Sequence, residues 1–278
     1  MNPGYPFAAI LLLVTAGLCL CLGLAVVRTH REVLARQFSW FMLTVALYAA
    51  GYAWELSSAD LASMKAALRF EYLGAPFATI FWLEMAYGYS WQRQLPPLTR
   101  AGLWLTPLLT MGIALTNELH HLFYADLAYT RVAGMTIARI AHGPWYYVHF
   151  AYVNVCFLAG NFFFLRAWRL AQPLYRKQAA VMLAGSCIPW GGYMLYLAGW
   201  SPYGLDLTPF GLSLTGIIAA TAVWYLGFLN IIPVARDAVL ECIKDGVIVL
   251  DRRSRVIDFN ASAARFFPEL GARPLGFD

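Results

Sequence analysis

Charge is scarce in this sequence of 278 residues: Asp, Glu, Lys and Arg together make up 13% of it, where a soluble domain carries about 25%. With 60% hydrophobic residues, that shortage excludes an ordinary water-soluble chain and points to a polytopic membrane protein. Lysine is rarer still. Lys65, Lys177 and Lys244 are the whole set, and none lies in the last apolar run, so no amine is placed there for a retinal Schiff base. Cys19, Cys21, Cys156 and Cys187 fall in apolar runs and Cys242 beyond them, which is no disulfide framework. Cys19 and Cys21 also point to different sides of a helix, so they imply no metal pair. HExxH, GxSxG and paired intramembrane aspartates are missing, so no catalysis by this chain is expected. The DRY and NPxxY marks of eukaryotic-type receptors are missing too. Pro6–Val27 is too long for a signal-peptide core and lacks a basic flank, so it is expected to stay as a first span.

Seven apolar runs have the length to cross a bilayer: Pro6–Val27, Phe38–Leu56, Ala66–Trp91, Leu98–Thr116, Trp145–Leu165, Ala179–Gly199 and Thr208–Ile231. The net charge of +5 bears on topology rather than on nucleic acid, which is not an expected partner. Arg28, Arg31, Arg36, Arg93, Arg100, Arg166, Arg169, Arg176 and Lys177 fall on one side. Lys65, Arg69, Arg131 and Arg139 fall on the other, and the richer side is expected in the cytoplasm. The amino terminus is then outside and the carboxyl terminus inside. The expected fold is an all-α membrane protein, a seven-transmembrane helix bundle, with lipid bilayer around it.

Asn117–Pro144 is the exception among the external connections, at about 28 residues where most loops are far shorter. Leu127–Val132 and Met135–Ile140 flank Ala133-Gly134 and predict a β-hairpin, placed as a lid over the outer mouth of the bundle. After the last span the character changes. Val234–Lys244 has the apolar spacing of a one-sided helix, with Pro233 at its first turn, and Asp245-Gly246 ends it. Val247–Leu250 and Val256–Phe259 then read as two short strands. No low-complexity linker intervenes, so Pro233, Arg236, Asp237, Asp245 and Gly246 are the candidate coupling residues between membrane and soluble parts.

Ionisable side chains at membrane depth are costly and face the bundle interior or water. Glu84, inside ATIFWLEMAYGY, is the sharpest candidate for ligand contact or proton sensing. Glu55 lies near the outer end of the second span, and Arg69 with Glu71 near the outer start of the third, where a structural ion pair is the plainer expectation. His149, Asn154 and Asn161 share the fifth span, the two asparagines on one face suited to interhelical hydrogen bonds. Trp145 is a candidate to line an apolar pocket, and Asp206 either caps the last span or meets a ligand. The ligand-binding candidates are thus Glu55, Arg69, Glu71, Glu84, Trp145, His149, Asn154 and Asp206. No metal site or cofactor is implied.

The segments ALYAAGYAWEL and RFEYLGAPFATIFWLEMAYGY, ALTNELHHLFY, HGPWYYVHFAY and SPYGLDLTPFGLSLTG follow one another in order. Together they resemble the amino-terminal seven-transmembrane sensor region of bacterial histidine kinases. The junction PVARDAVLECIKDGVIVLDRRSRVIDFNASAARFF is similar to the opening of a PAS domain, an α/β fold of which too little follows to close the sheet. The resemblance implies a signal receptor in the bacterial inner membrane, a homodimer, with an unknown small-molecule ligand. It implies a domain boundary near residue 231 and a cytoplasmic PAS, histidine kinase or diguanylate cyclase output. That output is expected outside this chain, because it holds no phosphoacceptor helix, ATP-binding glycines or GGDEF-type signature. A small-molecule transporter or channel is the alternative, although neither inverted repeats nor a broken helix is evident in the sequence.

Overall fold

The computed structural model describes residues 6–30, 32–132, 135–170, 173–226, 243–250 and 256–267, in two compact units, Met1–Leu229 and Asn230–Asp278. The first unit is helical. Helix α1 (Pro6–Thr29) is apolar all round and leaves Phe7, Ile10, Leu13 and Val14 exposed, as a lipid-facing helix does. It lies along α2 (Val33–Ser57), where Ser39 Oγ donates to the Gly23 carbonyl at 2.8 Å. Helix α2 buries Phe38, Phe41, Met42, Val45 and Ala49 and is the centre of the packing. Among the described residues, Phe7–Thr29, Val33–Ser57, Pro97–Leu115, Pro144–Leu170 and Arg176–Leu197 are long and apolar enough to cross a membrane.

The third apolar run is not one helix. It is α3 (Leu61–Glu71) and α4 (Ala75–Trp91), separated at Tyr72–Gly74. Asp60 caps α3, its Oδ1 accepting from the Ser63 amide at 2.8 Å. The break follows from Pro76: it has no N–H for a bond to the Tyr72 carbonyl, and the Leu73 and Gly74 amides turn back to the Phe70 and Glu71 carbonyls at 3.1 and 2.9 Å. Close packing on α2 fixes the break in place. A Cβ at Gly74 would come within 2.5 Å of the Thr44 carbonyl oxygen, and one at Gly51 within 2.9 Å of the Glu71 amide nitrogen. The expectation of an unbroken span over Ala66–Trp91, and of no broken helix in the chain, is therefore corrected.

After α5 (Pro97–Leu115) comes a 3₁₀ turn, Asn117–Leu119, and then the expected hairpin. Strands β1 (Tyr124–Val132) and β2 (Met135–His142) are antiparallel, with Val132 opposite Met135 and Ala128 opposite Arg139. Asn117 anchors its base: Oδ1 accepts from the Phe123 and Tyr124 amides at 2.9 and 3.0 Å, and Nδ2 donates to the Tyr124 carbonyl at 3.0 Å. Met64, Leu68, Ala114, Phe123 and Tyr124 form a small apolar core beneath it.

Helices α6 (Pro144–Leu170), α7 (Pro173–Leu197) and α8 (Thr208–Leu226) complete the unit. Asn161 Oδ1 accepts from Ser186 Oγ at 2.8 Å and Asn154 Oδ1 from Trp190 Nε1 at 3.3 Å, so both asparagines bond across to α7. Thr215 Oγ1 donates to the Gly185 carbonyl at 2.6 Å, which holds the small-residue face of α8 against α7.

The second unit pairs β3 (Ile248–Leu250) with β4 (Val256–Phe259), followed by α9 (Ala261–Phe266). Its keystone is Asn260, 1% exposed. Its Oδ1 accepts from the Val247 and Ala263 amides, each at 2.9 Å, while Nδ2 donates to the Ile243 and Asp245 carbonyls at 3.1 and 2.9 Å. Asp245-Gly246 thereby stands as the expected turn before β3. Asn260→Ala leaves these buried groups unpaired and is expected to cost roughly 3 kcal/mol in this unit. Hydrogen exchange at the Val247 and Ala263 amides should accelerate about a hundredfold; unchanged protection would refute the keystone role. Pro233, Arg236 and Asp237, and the helix expected to begin at Val234, lie outside the described residues.

Candidate functional site

Tyr48, Tyr52 and Glu55 recur at the i, i+4, i+7 spacing of one helix face, and α2 turns that face inward at the hairpin end of the first unit. Glu71 and Tyr72, at the end of α3, meet it from the side. Between them lies a cavity of about 210 Å³, walled by α2, the α3–α4 break, the hairpin, α6, α7 and the segment before α8. The hairpin supplies Tyr124, Ile137 and His142; α6 supplies Tyr146, His149, Val153 and Phe157, again one face; α7 supplies Trp190 and Tyr193.

Three carboxyl groups share this space. Glu55 is 6% and Glu71 4% exposed. The two carboxyls face one another across the cavity. The Ala138 backbone amide of the hairpin stands against the Glu55 carboxyl. Asp206 Oδ2 accepts from Tyr48 Oη at 2.5 Å and Oδ1 from the Thr208 amide at 2.8 Å, so it caps α8 and lines the cavity at once. The Asp206 amide donates to Tyr52 Oη at 2.7 Å. Burial raises the Asp206 carboxyl above its ordinary range, and the bonds from Thr208 and Tyr48 pull it partly back. Burial lowers the His142 imidazole, which favours its neutral form; its ring lies flat on Tyr146, centroids 3.6 Å apart.

Five buried side-chain atoms among the described residues have no hydrogen-bond partner: Glu71 Oε1, Trp82 Nε1, His142 Nδ1, His149 Nδ1 and Thr208 Oγ1. All five residues line this one cavity. Buried polar groups are nearly always satisfied, so their convergence marks a place built to receive polar atoms.

The eight candidate residues divide evenly. Glu55, Glu71, His149 and Asp206 line the cavity, whereas Arg69, Glu84, Trp145 and Asn154 do not. Glu84 sits deeper in the bundle, fully engaged: Arg100 Nε donates to Oε1 at 2.7 Å and Nη2 to Oε2 at 3.3 Å, Trp104 Nε1 to Oε1 at 2.8 Å, and Gln37 Nε2 to Oε2 at 3.2 Å. The expected Arg69–Glu71 pair is corrected. Residues two apart on a helix point to opposite sides, and Arg69 instead meets Glu118 at 2.6 Å, beside Lys65 at 3.1 Å. Hydrogen bonds from Lys65 and Arg69 lower the Glu118 carboxyl. Trp145 Nε1 donates to Thr110 Oγ1 at 3.0 Å, and Asn154 orients Trp190. The sequence reading missed Tyr48, Tyr52, Tyr72 and Tyr124; the Tyr48, Tyr52, Glu55 stripe was the available signal.

No curated protein matches the chain. A family model described as the N-terminal 7TM region of histidine kinase matches residues 11–233. That match, with several helices of membrane-crossing length, makes the chain a multi-pass integral membrane protein. Its first unit carries the cavity and coincides almost wholly with the matched region. The chain therefore belongs to the family of N-terminal seven-transmembrane regions of histidine kinases.

Proposed function

We propose that this chain is the receptor part of a signalling system of the bacterial inner membrane, and that its stimulus is a small molecule held in the cavity behind the hairpin. The observation that carries the reading is the convergence of five unpartnered buried polar atoms on one cavity inside the family's sensor region. The molecule reaches the cavity from outside or from the bilayer. This assigns seven crossings, the third broken at Tyr72–Gly74, with the amino terminus outside and the basic connections in the cytoplasm. The last helix leads through Pro233, Arg236, Asp237 and Asp245-Gly246 into the second unit, read as the start of a PAS domain on its two strands and short helix. The receptor works as a homodimer, on a histidine kinase or diguanylate cyclase module. Signalling requires the ligand to bind two packings of the bundle unequally.

A transporter is the second reading, and one observation favours it: transporters place interrupted helices around their central sites, and α3–α4 is interrupted beside this cavity. Native mass spectrometry of the detergent-purified chain tests both. A defined small-molecule adduct is expected in wild type and in Glu84→Gln, and is expected to be lost in Glu71→Gln and His149→Ala. Protein free of adduct in every preparation would redirect the stimulus to membrane, voltage or a partner. Uptake of the identified molecule into sealed proteoliposomes would favour the transporter.

A further inference from the structure

Glu55, Glu71 and Asp206 all line the cavity, and among the described residues no lysine or arginine does. The basic side chains nearby are engaged elsewhere: Lys65 and Arg69 hold Glu118 on the outer face, and Arg100 holds Glu84. The three carboxyls lie close enough to act on one another electrostatically. The donors they have are neutral: the Tyr48 hydroxyl and Thr208 amide for Asp206, and the Ala138 amide for Glu55. Glu71 Oε1 has none, although Glu71 is 96% buried by its 4% exposure. Independently of the acids, His149 Nδ1 is buried in the same wall without a partner; as a neutral imidazole nitrogen it can accept. The site thus has surplus carboxyl acceptors, and among the described residues it lacks a charged donor.

The remaining wall has a different character. Trp190 stacks on Phe157 with centroids 5.7 Å apart and planes 7° apart, and Asn154 holds its indole N–H. Ring faces fixed in this way suit an apolar body, and they also attract a cation. An ammonium offers three donors and no acceptor, which matches what the acid end lacks.

We propose that the cavity binds a small organic cation, a protonated amine carried on an apolar body, with the ammonium at Glu71 and Glu55 and the body against Trp190 and Phe157. This rests on reading the cavity as the ligand site. An anion of the same shape would meet three acids and no cationic partner, and a neutral isostere would leave Glu71 Oε1 without a charged donor.

Three probes of like shape separate the possibilities: 2-phenylethylamine, 2-phenylethanol and phenylacetate, titrated calorimetrically into the full chain in nanodiscs. The amine should bind at least tenfold tighter than the alcohol, and phenylacetate should not bind. Glu71→Gln should weaken the amine at least tenfold and leave the alcohol unchanged, with Glu55→Gln as a second variant and thermal melting as the check that each is folded. Alcohol or phenylacetate binding as tightly as the amine would overturn the charge assignment while leaving the cavity as a ligand site. The same follows if amine affinity is indifferent to both substitutions. Binding of none of the three would overturn the amine assignment, and an adduct still seen by native mass spectrometry would then leave the cavity as a ligand site.

Discussion

Arg100→Ala is expected to lower the stability of the membrane unit by roughly 3 kcal/mol, the low end for breaking a buried pair, because Arg100 itself stays 45% exposed while the Glu84 side chain is 2% exposed. The cost comes from what remains. Trp104 and Gln37 still donate to Glu84, but its charge loses the only cation within reach among the described residues. The double variant Glu84→Gln with Arg100→Gln should cost less than Arg100→Ala alone, because it removes the stranded charge with its partner. Thermal melting in detergent reads both. Melting of Arg100→Ala at the wild-type temperature would show that the pair contributes nothing. Since Glu84 is outside the cavity, any adduct should survive in protein that remains folded.

A single methyl group at Gly51 is expected to have a comparable effect by another route. A Cβ there would overlap Glu71 Cγ and approach the Glu71 amide nitrogen to 2.9 Å and its Cα to 3.0 Å. Two of those atoms are backbone, so α3 must retreat from α2, at about 1–3 kcal/mol for an overpacked contact. The displacement moves Glu71 itself, so Gly51→Ala should lose both melting temperature and any bound molecule. Gly17→Ala is the control, since a Cβ at Gly17 meets nothing within 4 Å; alanine there should be neutral or mildly stabilising. If the two variants melt alike, the α2–α3 contact is wrong.

Much of the fold was legible where one residue type repeats. Long apolar runs gave the helices to within a few residues at most ends, and Ala133-Gly134 between alternating stretches gave the hairpin. The break in the third run was written as Gly74-Ala75-Pro76, but hydropathy averaged over a window hides three residues. Half of the site was legible for the same local reason: Glu55, Glu71, His149 and Asp206 are polar groups near the ends of apolar runs. What failed was pairing. Glu84 looked like the most exceptional group because its partners Gln37, Arg100 and Trp104 come from two other helices, at separations no local pattern reports. Arg69 and Glu71 looked like a pair because they are neighbours in sequence, whereas helical geometry sends them apart.

Helices α4 and α6 run side by side away from the hairpin, and both line the cavity with their first turns. They lie close at Gly160, where a Cβ would come within 2.7 Å of the Trp82 ring. Beyond that point Arg166 Nη1 bonds Ser90 at its carbonyl and hydroxyl, at 3.1 and 3.0 Å. Between the two points Tyr87 packs on Phe163 and Tyr89 on Phe164, with ring centroids 5.2 and 5.7 Å apart. Two rods held at successive places along their length cannot scissor. A push on their first turns therefore reaches the far end as a shift of the pair together.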